Sequence, residues 1–267
     1  MSRLTRILWF TLRDLMHNRS FYVLLLVGFV LVLVLRGCMG GNYTINRRQV
    51  DELTVAWNVS KAAFHLIAAI SLLFAALPAM GLLHNDRQDG AAVMILSRPV
   101  RRFEYLFGRL LGVWVVASLL MLVLHGAIYV ITYLKIGGRM PMYFPASFIC
   151  TINVLFMTFV VALLARFVPG FVAALIGIVL AGVSFFSDTA QRMLHSELVK
   201  QAAPDLEVPL SWWRAAWPKL FALQYWAASL IGEEVPTDIW GPLHPLLNVL
   251  LYTVAAAAVL QWRFGKE

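Results

Sequence analysis

Residues 84–112 read His84-Asn-Asp-Arg-Gln-Asp-Gly-Ala-Ala-Val-Met-Ile-Leu-Ser-Arg-Pro-Val-Arg-Arg-Phe-Glu-Tyr-Leu-Phe-Gly-Arg-Leu-Leu-Gly112, the densest charged island in the chain, set between two long apolar runs. Eight of these 29 residues are charged: Asp86, Arg87, Asp89, Arg98, Arg101, Arg102, Glu104 and Arg109. The chain as a whole is 61% hydrophobic and 13% charged, with a mean hydropathy of +0.76. A soluble domain is about half apolar and about a quarter charged. The sequence therefore belongs in a bilayer, and the island must lie in water or against a wet partner.

Working outward, apolar runs at 20–39, 62–83, 106–134, 146–165, 170–187 and 246–262 are read as six membrane spans, each near the roughly 20 residues that a helix needs to cross. The first is short unless Arg36 snorkels to the interface. Residues 3–17 place Leu4, Ile7, Leu8, Thr11, Leu12 and Leu15 on one helical face and Arg3, Arg6, Arg13, Asp14 and His17 on the other. Such a helix lies in the interface plane. Arg-rich residues before an apolar run, with Leu35-Arg36-Gly37-Cys38 behind it, also fit a cleaved leader, but the long helical lead and the Arg two before Cys38 argue against one. Residues 188–245 form the longest non-spanning piece. Within it 210–231 is rich in Trp212, Trp213, Trp217, Tyr225 and Trp226 and broken by Pro218, which suggests interfacial or re-entrant helices before the last span. The expected fold is thus an all-α integral membrane protein, one transmembrane domain over 1–267.

Charge fixes the orientation. With both termini inside, the inner segments hold 12 Lys plus Arg against 5 acids and the outer ones 10 against 9. That bias obeys the positive-inside rule and places 84–105 in the cytoplasm. The +8 net charge is explained by topology rather than by nucleic acid.

Inside the island, Asp89-Gly90 opens a short apolar helix, Ser97-Arg98 closes it, and Pro99 suits the first turn of the next helix, where no amide partner is needed. A generic charged loop is the plainer alternative. At these residues the sequence resembles the ABC type-2 permeases. Leu96-Ser97-Arg98-Pro99-Val100-x-Arg102, then Glu104, then Leu106-x-Gly108-Arg109-Leu110-Leu111-Gly112 is similar to their cytoplasmic segment between spans two and three. Ala91-Ala92-Val93 stands where Gly-Thr-Leu is usual, and Arg109 where Lys is commoner. The layout of interfacial helix, six spans and a re-entering outer segment is similar too, closest to the nitrous oxide reductase maturation and gliding-associated permeases.

The resemblance implies a multi-pass subunit of the bacterial inner membrane, paired with a second permease copy as a homo- or heterodimer, each half gripped by a separate ABC ATPase. It implies that residues 89–97 form a coupling helix seated in a groove of that ATPase, with the N-terminal helix beside it. Val93, Met94 and Leu96 would supply the apolar anchor there, and Arg98, Arg101 and Arg102 would pair with acidic residues. Asp89, Gly90, Pro99 and Glu104 would shape the segment. ATP and Mg²⁺ would sit on the partner, and no cofactor on this chain. The alternative function is a scaffold that transmits motion to an extracytoplasmic partner without moving a solute.

No G-x-x-x-x-G-K-[ST], H-E-x-x-H or G-x-S-x-G occurs, so neither a P-loop ATPase nor a recognisable hydrolase is encoded. His84, Asp86 and Asp89 are weak metal candidates beside Arg87. His125 and Asn153 fall inside spans, where polar groups must face a helix contact or a cavity; His65 is a lesser case. Ala173, Gly177 and Ala181 form a small-residue stripe for packing within the chain or against another copy. Cys38 and Cys150 both fall near the outer face, where an oxidising compartment would permit a disulfide. Asn42-Tyr-Thr44 and Asn58-Val-Ser60 match glycosylation acceptors that short sequences meet by chance.

Overall fold

The computed structural model describes residues 3–17, 19–39, 44–45, 48–49, 52–88, 101–137, 140–194, 216–232 and 243–265. Over these residues the chain is helical except for a two-residue ladder, β1 (Thr44–Ile45) against β2 (Arg48–Gln49), which pairs Thr44 with Gln49 and Ile45 with Arg48. The helices are α1 (Arg3–His17), α2 (Arg19–Cys38), α3 (Glu52–Gln88), α4 (Arg102–Ile136), α5 (Tyr143–Leu164), α6 (Gly170–Leu194), α7 (Leu220–Ile231) and α8 (Pro245–Gly265). Six of them, all but α1 and α7, are long and apolar enough to cross a membrane.

The centre is built where α3, α4 and α5 pack on one another, with α8 and α7 against α5 and α1 along the first turns of α4. Phe64, Ile67, Leu110, Met121, Ile128 and Met157 are fully buried there. On α3, Ala63, Ala68, Ala75, Ala76 and Ala79 are buried as well. Lipid gives helices no hydrophobic reason to associate, so close backbone approach past small side chains supplies the dispersion contact. A polar link is added to this packing: the Trp114 indole donates to the Thr151 carbonyl at 2.9 Å, joining α4 to α5. Helices α2 and α6 lie outermost, burying 17% and 22% of their most apolar windows against 61% for α5.

Several helices run beyond their expected ends, and for one reason. α3 begins at Glu52 rather than near 62 and continues to Gln88, because Ala56 and Ser60 in its early turns are buried against neighbours. Hydropathy averages over all faces and misses such a one-sided start. α6 likewise continues to Leu194, since Ser184, Asp188 and Gln191 turn inward and are buried. Asn58-Val-Ser60 consequently lies in a helix with Ser60 buried. Cys38 and Cys150 are not disulfide-bonded; Cys38 is exposed and Cys150 buried. α4 ends on Gly137, whose left-handed φ of 65° turns its N–H onto the Tyr133 carbonyl at 2.9 Å.

The start of α6 is held against α3 more tightly than any side chain permits. A Cβ on Gly170 would stand 2.5 Å from the Met80 carbonyl oxygen, whereas one on Gly126, inside α4, meets nothing within 4 Å. Gly170→Ala should lower stability by about 1–3 kcal/mol, the usual range for overpacking. Gly126→Ala should be neutral or stabilise by up to about 1 kcal/mol through helix propensity. Thermal unfolding of the two variants in detergent reads the difference, and equal melting temperatures would contradict the contact.

Candidate functional site

The charged island meets the described structure at Arg101. Its φ of −70° and ψ of 140° are extended, and its N–H donates to the Glu104 carboxylate at 3.1 Å, so Glu104 caps the start of α4. Arg101 and Arg102 are exposed on the first turn. Asp89, Gly90, Val93, Met94, Leu96, Arg98 and Pro99 lie outside the described residues, as do the side chains of His84 and Asp86.

One turn further along α4 sits a feature that the sequence did not announce. Gly108 and Gly112 are four apart on one face, and α1 lies across them: a Cβ on Gly108 would come within 2.8 Å of the Ile7 side chain, and one on Gly112 within 2.6 Å of Thr11. Between the glycines Arg109 is 2% exposed. Its guanidinium reaches Asp14 Oδ2 at 3.2 Å and Thr11 Oγ1 at 3.4 Å, and lies 5.5 Å from the Phe10 ring centre. Thr11 in turn donates to the Ile7 carbonyl at 2.9 Å. Asp14, expected on the same wet face as Arg6 and Arg13, turns instead to the α4 contact. The exposed side of α1 carries Trp9, Phe10 and Met16, side chains that favour the level of the lipid headgroups.

The intramembrane candidates resolve into separate cross-helix links. His125 is fully buried on α4; its Nε2 donates to the Phe64 carbonyl of α3 at 3.2 Å while its ring stacks on Phe64 at 4.6 Å. Asn153 of α5 donates to the Leu220 carbonyl of α7 at 2.8 Å. On α6, Ala173 is fully buried, and Gly177 faces Val161 and Met157 of α5, where a Cβ would meet Val161 at 2.8 Å. Ala181 borders a cleft between α3, α6 and α7.

A second polar cluster went unread in the sequence. Helix α7 is 12 residues long, about 18 Å at 1.5 Å per residue, and it begins inside the bundle. Its first amides find side-chain acceptors on α6: Leu220 N–H donates to Ser184 Oγ at 3.0 Å, and Ala222 N–H to Asp188 Oδ2 at 3.0 Å. The preceding Lys219 N–H donates to Asn248 Oδ1 of α8 at 2.9 Å, and Lys219 Nζ to the Leu243 carbonyl at 3.2 Å. The Tyr252 hydroxyl donates to the Ala216 carbonyl. Further along, Gln224 donates through Nε2 to the His65 carbonyl at 2.6 Å and to His65 Nδ1 at 3.1 Å. The available signal was Ser184-x-x-x-Asp188, two polar residues one turn apart in an apolar helix.

Chemically, the described residues show helix ends anchored by side-chain hydrogen bonds. The family model described as "ABC-2 family transporter protein" matches residues 5–267. No curated protein matches the chain.

Two anchors can be tested directly. In a double-mutant cycle, Asp14→Ala with Arg109→Gln should show a coupling of about 1 kcal/mol, modest because Asp14 is half exposed; additive effects would show the pair to be unlinked. Asp188→Ala should cost about 1–2 kcal/mol, as for loss of a helix cap. It should also raise amide exchange in residues 220–222, and unchanged exchange would remove the capping role.

Proposed function

The chain belongs to the ABC-2 family of transporter proteins, and from that premise we propose that it serves as the membrane-spanning permease subunit that couples ATP hydrolysis on a separate ATPase to substrate export or translocation. The family match over nearly the whole chain carries this reading. The proposed assembly has two permease copies and two ATPase subunits in a bacterial inner membrane, with both termini and residues 84–105 cytoplasmic.

In this mechanism the ATPase holds residues 89–97, with Val93, Met94 and Leu96 as apolar anchor and Arg98, Arg101 and Arg102 facing acidic groups. Closure of the ATPase on ATP moves that segment. The movement enters α3 through residue 88 and α4 through Arg102. Because α1 is fixed to α4 across Gly108, Arg109 and Gly112, the interfacial helix moves with α4 rather than sliding past it. The packing of α3 on α4 and the His125–Phe64 bond support transmission through those two helices together.

Charge reversal supplies the test. Arg98→Glu combined with Arg102→Glu should abolish copurification of the partner ATPase, while the melting temperature of the permease alone changes by no more than a few degrees. A complex that survives both substitutions would remove residues 98–102 from the coupling surface.

A further inference from the structure

Between α3, α6 and α7 lies a cleft of about 590 Å³, inside the roughly 300–1,000 Å³ range of small-ligand sites. Leu66, Leu73, Ile178, Phe185 and Phe221 form apolar wall, and His65 and Gln224 are its polar lining residues. Along α3 the cleft extends from Ala62 to Leu73, about 16 Å at 1.5 Å per residue. That is about half of the roughly 30 Å hydrocarbon core, the depth of a single leaflet.

The polar end has a defined chemistry. One nitrogen of Gln224 touches both the His65 carbonyl and His65 Nδ1. A carbonyl requires a donor, so that atom is the amide NH₂, and Nδ1 must be the acceptor. A neutral His65 then carries its proton on Nε2, leaving the ring a donor at the cleft wall. Two cations stand nearby: Lys61 lies one turn away on α3, and Arg192 sits 3.3 Å from the ring centre of Tyr225, which stacks beside His65. The carboxylate of Asp188, also in this region, accepts from Ala222 N–H and Ser184 Oγ.

We propose that this cleft binds a single-chain amphiphile drawn from the bilayer, its acyl chain along α3 between Leu66 and Leu73 and its carboxylate or phosphate head at His65. The apolar walls exclude water, as dry cavities do, so within a membrane the natural filling is hydrocarbon. The one-leaflet depth fits a chain, and a hydrogen-bond donor with nearby cations at one end fits an acceptor-only, anionic head. The site stands on the cleft and makes no use of the ATPase.

The test uses the full chain in phosphatidylcholine nanodiscs without nucleotide, photolabelled with a diazirine-bearing palmitate or with the matching alcohol. Labels should map to Leu66, Leu73 or Phe185, with the acid favoured about tenfold over the alcohol, the scale of a hydrogen bond to a charged acceptor. His65→Phe should retain alcohol labelling and bring that ratio to about one. Gly182→Phe should block both probes: Gly182 borders the cleft, and a Cβ there meets nothing within 4 Å. Ala69→Phe repeats the block from α3, and melting temperatures identify any variant that fails to fold. Labelling that ignores the filling substitutions, or a wild type without headgroup preference, overturns the proposal. So does crosslinking of cleft residues to a second copy with no probe incorporated. Loss of ATPase copurification would bear on the proposed function alone and leave these labels unchanged.

Discussion

A helix that starts within a bilayer has amide protons with no water to receive them, and each one left unmatched costs several kcal/mol. Helix α7 starts buried among α5, α6 and α8, where its first amides are likewise cut off from water. Its start is tolerated only because Ser184 and Asp188 on α6 face its first turn, Asn153 on α5 donates to its first carbonyl, and Asn248 on α8 receives the amide before it. Four elements are thereby committed to one point. The lengthening of α6 to Leu194, the inward turn of its polar residues and the position of α8 all follow from the need to complete that start. The cleft beside α3 is a by-product of the same arrangement, since α7 stops short of filling the space between α3 and α6.

The other end of the molecule obeys a different rule. There the constraint is steric: Gly108 and Gly112 let α1 approach α4 closely enough for Arg109 to reach Asp14 and Thr11. Either component alone is weak. A half-exposed ion pair contributes little, and a glycine face attracts only by allowing contact. Together they define a register, because the guanidinium reaches its partners only when Ile7 lies over Gly108 and Thr11 over Gly112. One guanidinium nitrogen, Nη1, serves both acceptors, its N–H groups held in a fixed plane where Lys would offer a point charge.

The membrane class, the six helices long enough to span and the helix over residues 3–17 were legible because each is a property of consecutive residues, and apolar runs leave little latitude. Helix ends were less so. Ser60, Ser184 and Asp188 lowered the local hydropathy, yet each is turned inward and buried, so the helix passes through a point where averaging stops it. Long-range partners were not legible at all: Asp14 and Arg109 are 95 residues apart, and His65 and Gln224 are 159 apart. His125 and Asn153 were recognisable as polar groups out of place, but their neighbours, Phe64 and Leu220, offer only backbone carbonyls, which every residue possesses.

The length of α4 has a mechanical meaning. Its 35 residues make a rod of about 52 Å, unbroken by proline, with α1 clasped to one end and Gly137 releasing the other. Such a rod is a lever. A tilt of about 5° imposed at the clasped end sweeps the far end through about 4–5 Å over that length, nearly the pitch of one helical turn. With His125 joined to the Phe64 carbonyl about two-thirds of the way along, about 3 Å of such a sweep would fall beside His65, the residue next in sequence to Phe64. A tilt too small to break any contact at the arginine would thus be magnified to the scale of a side chain at the far end of the rod.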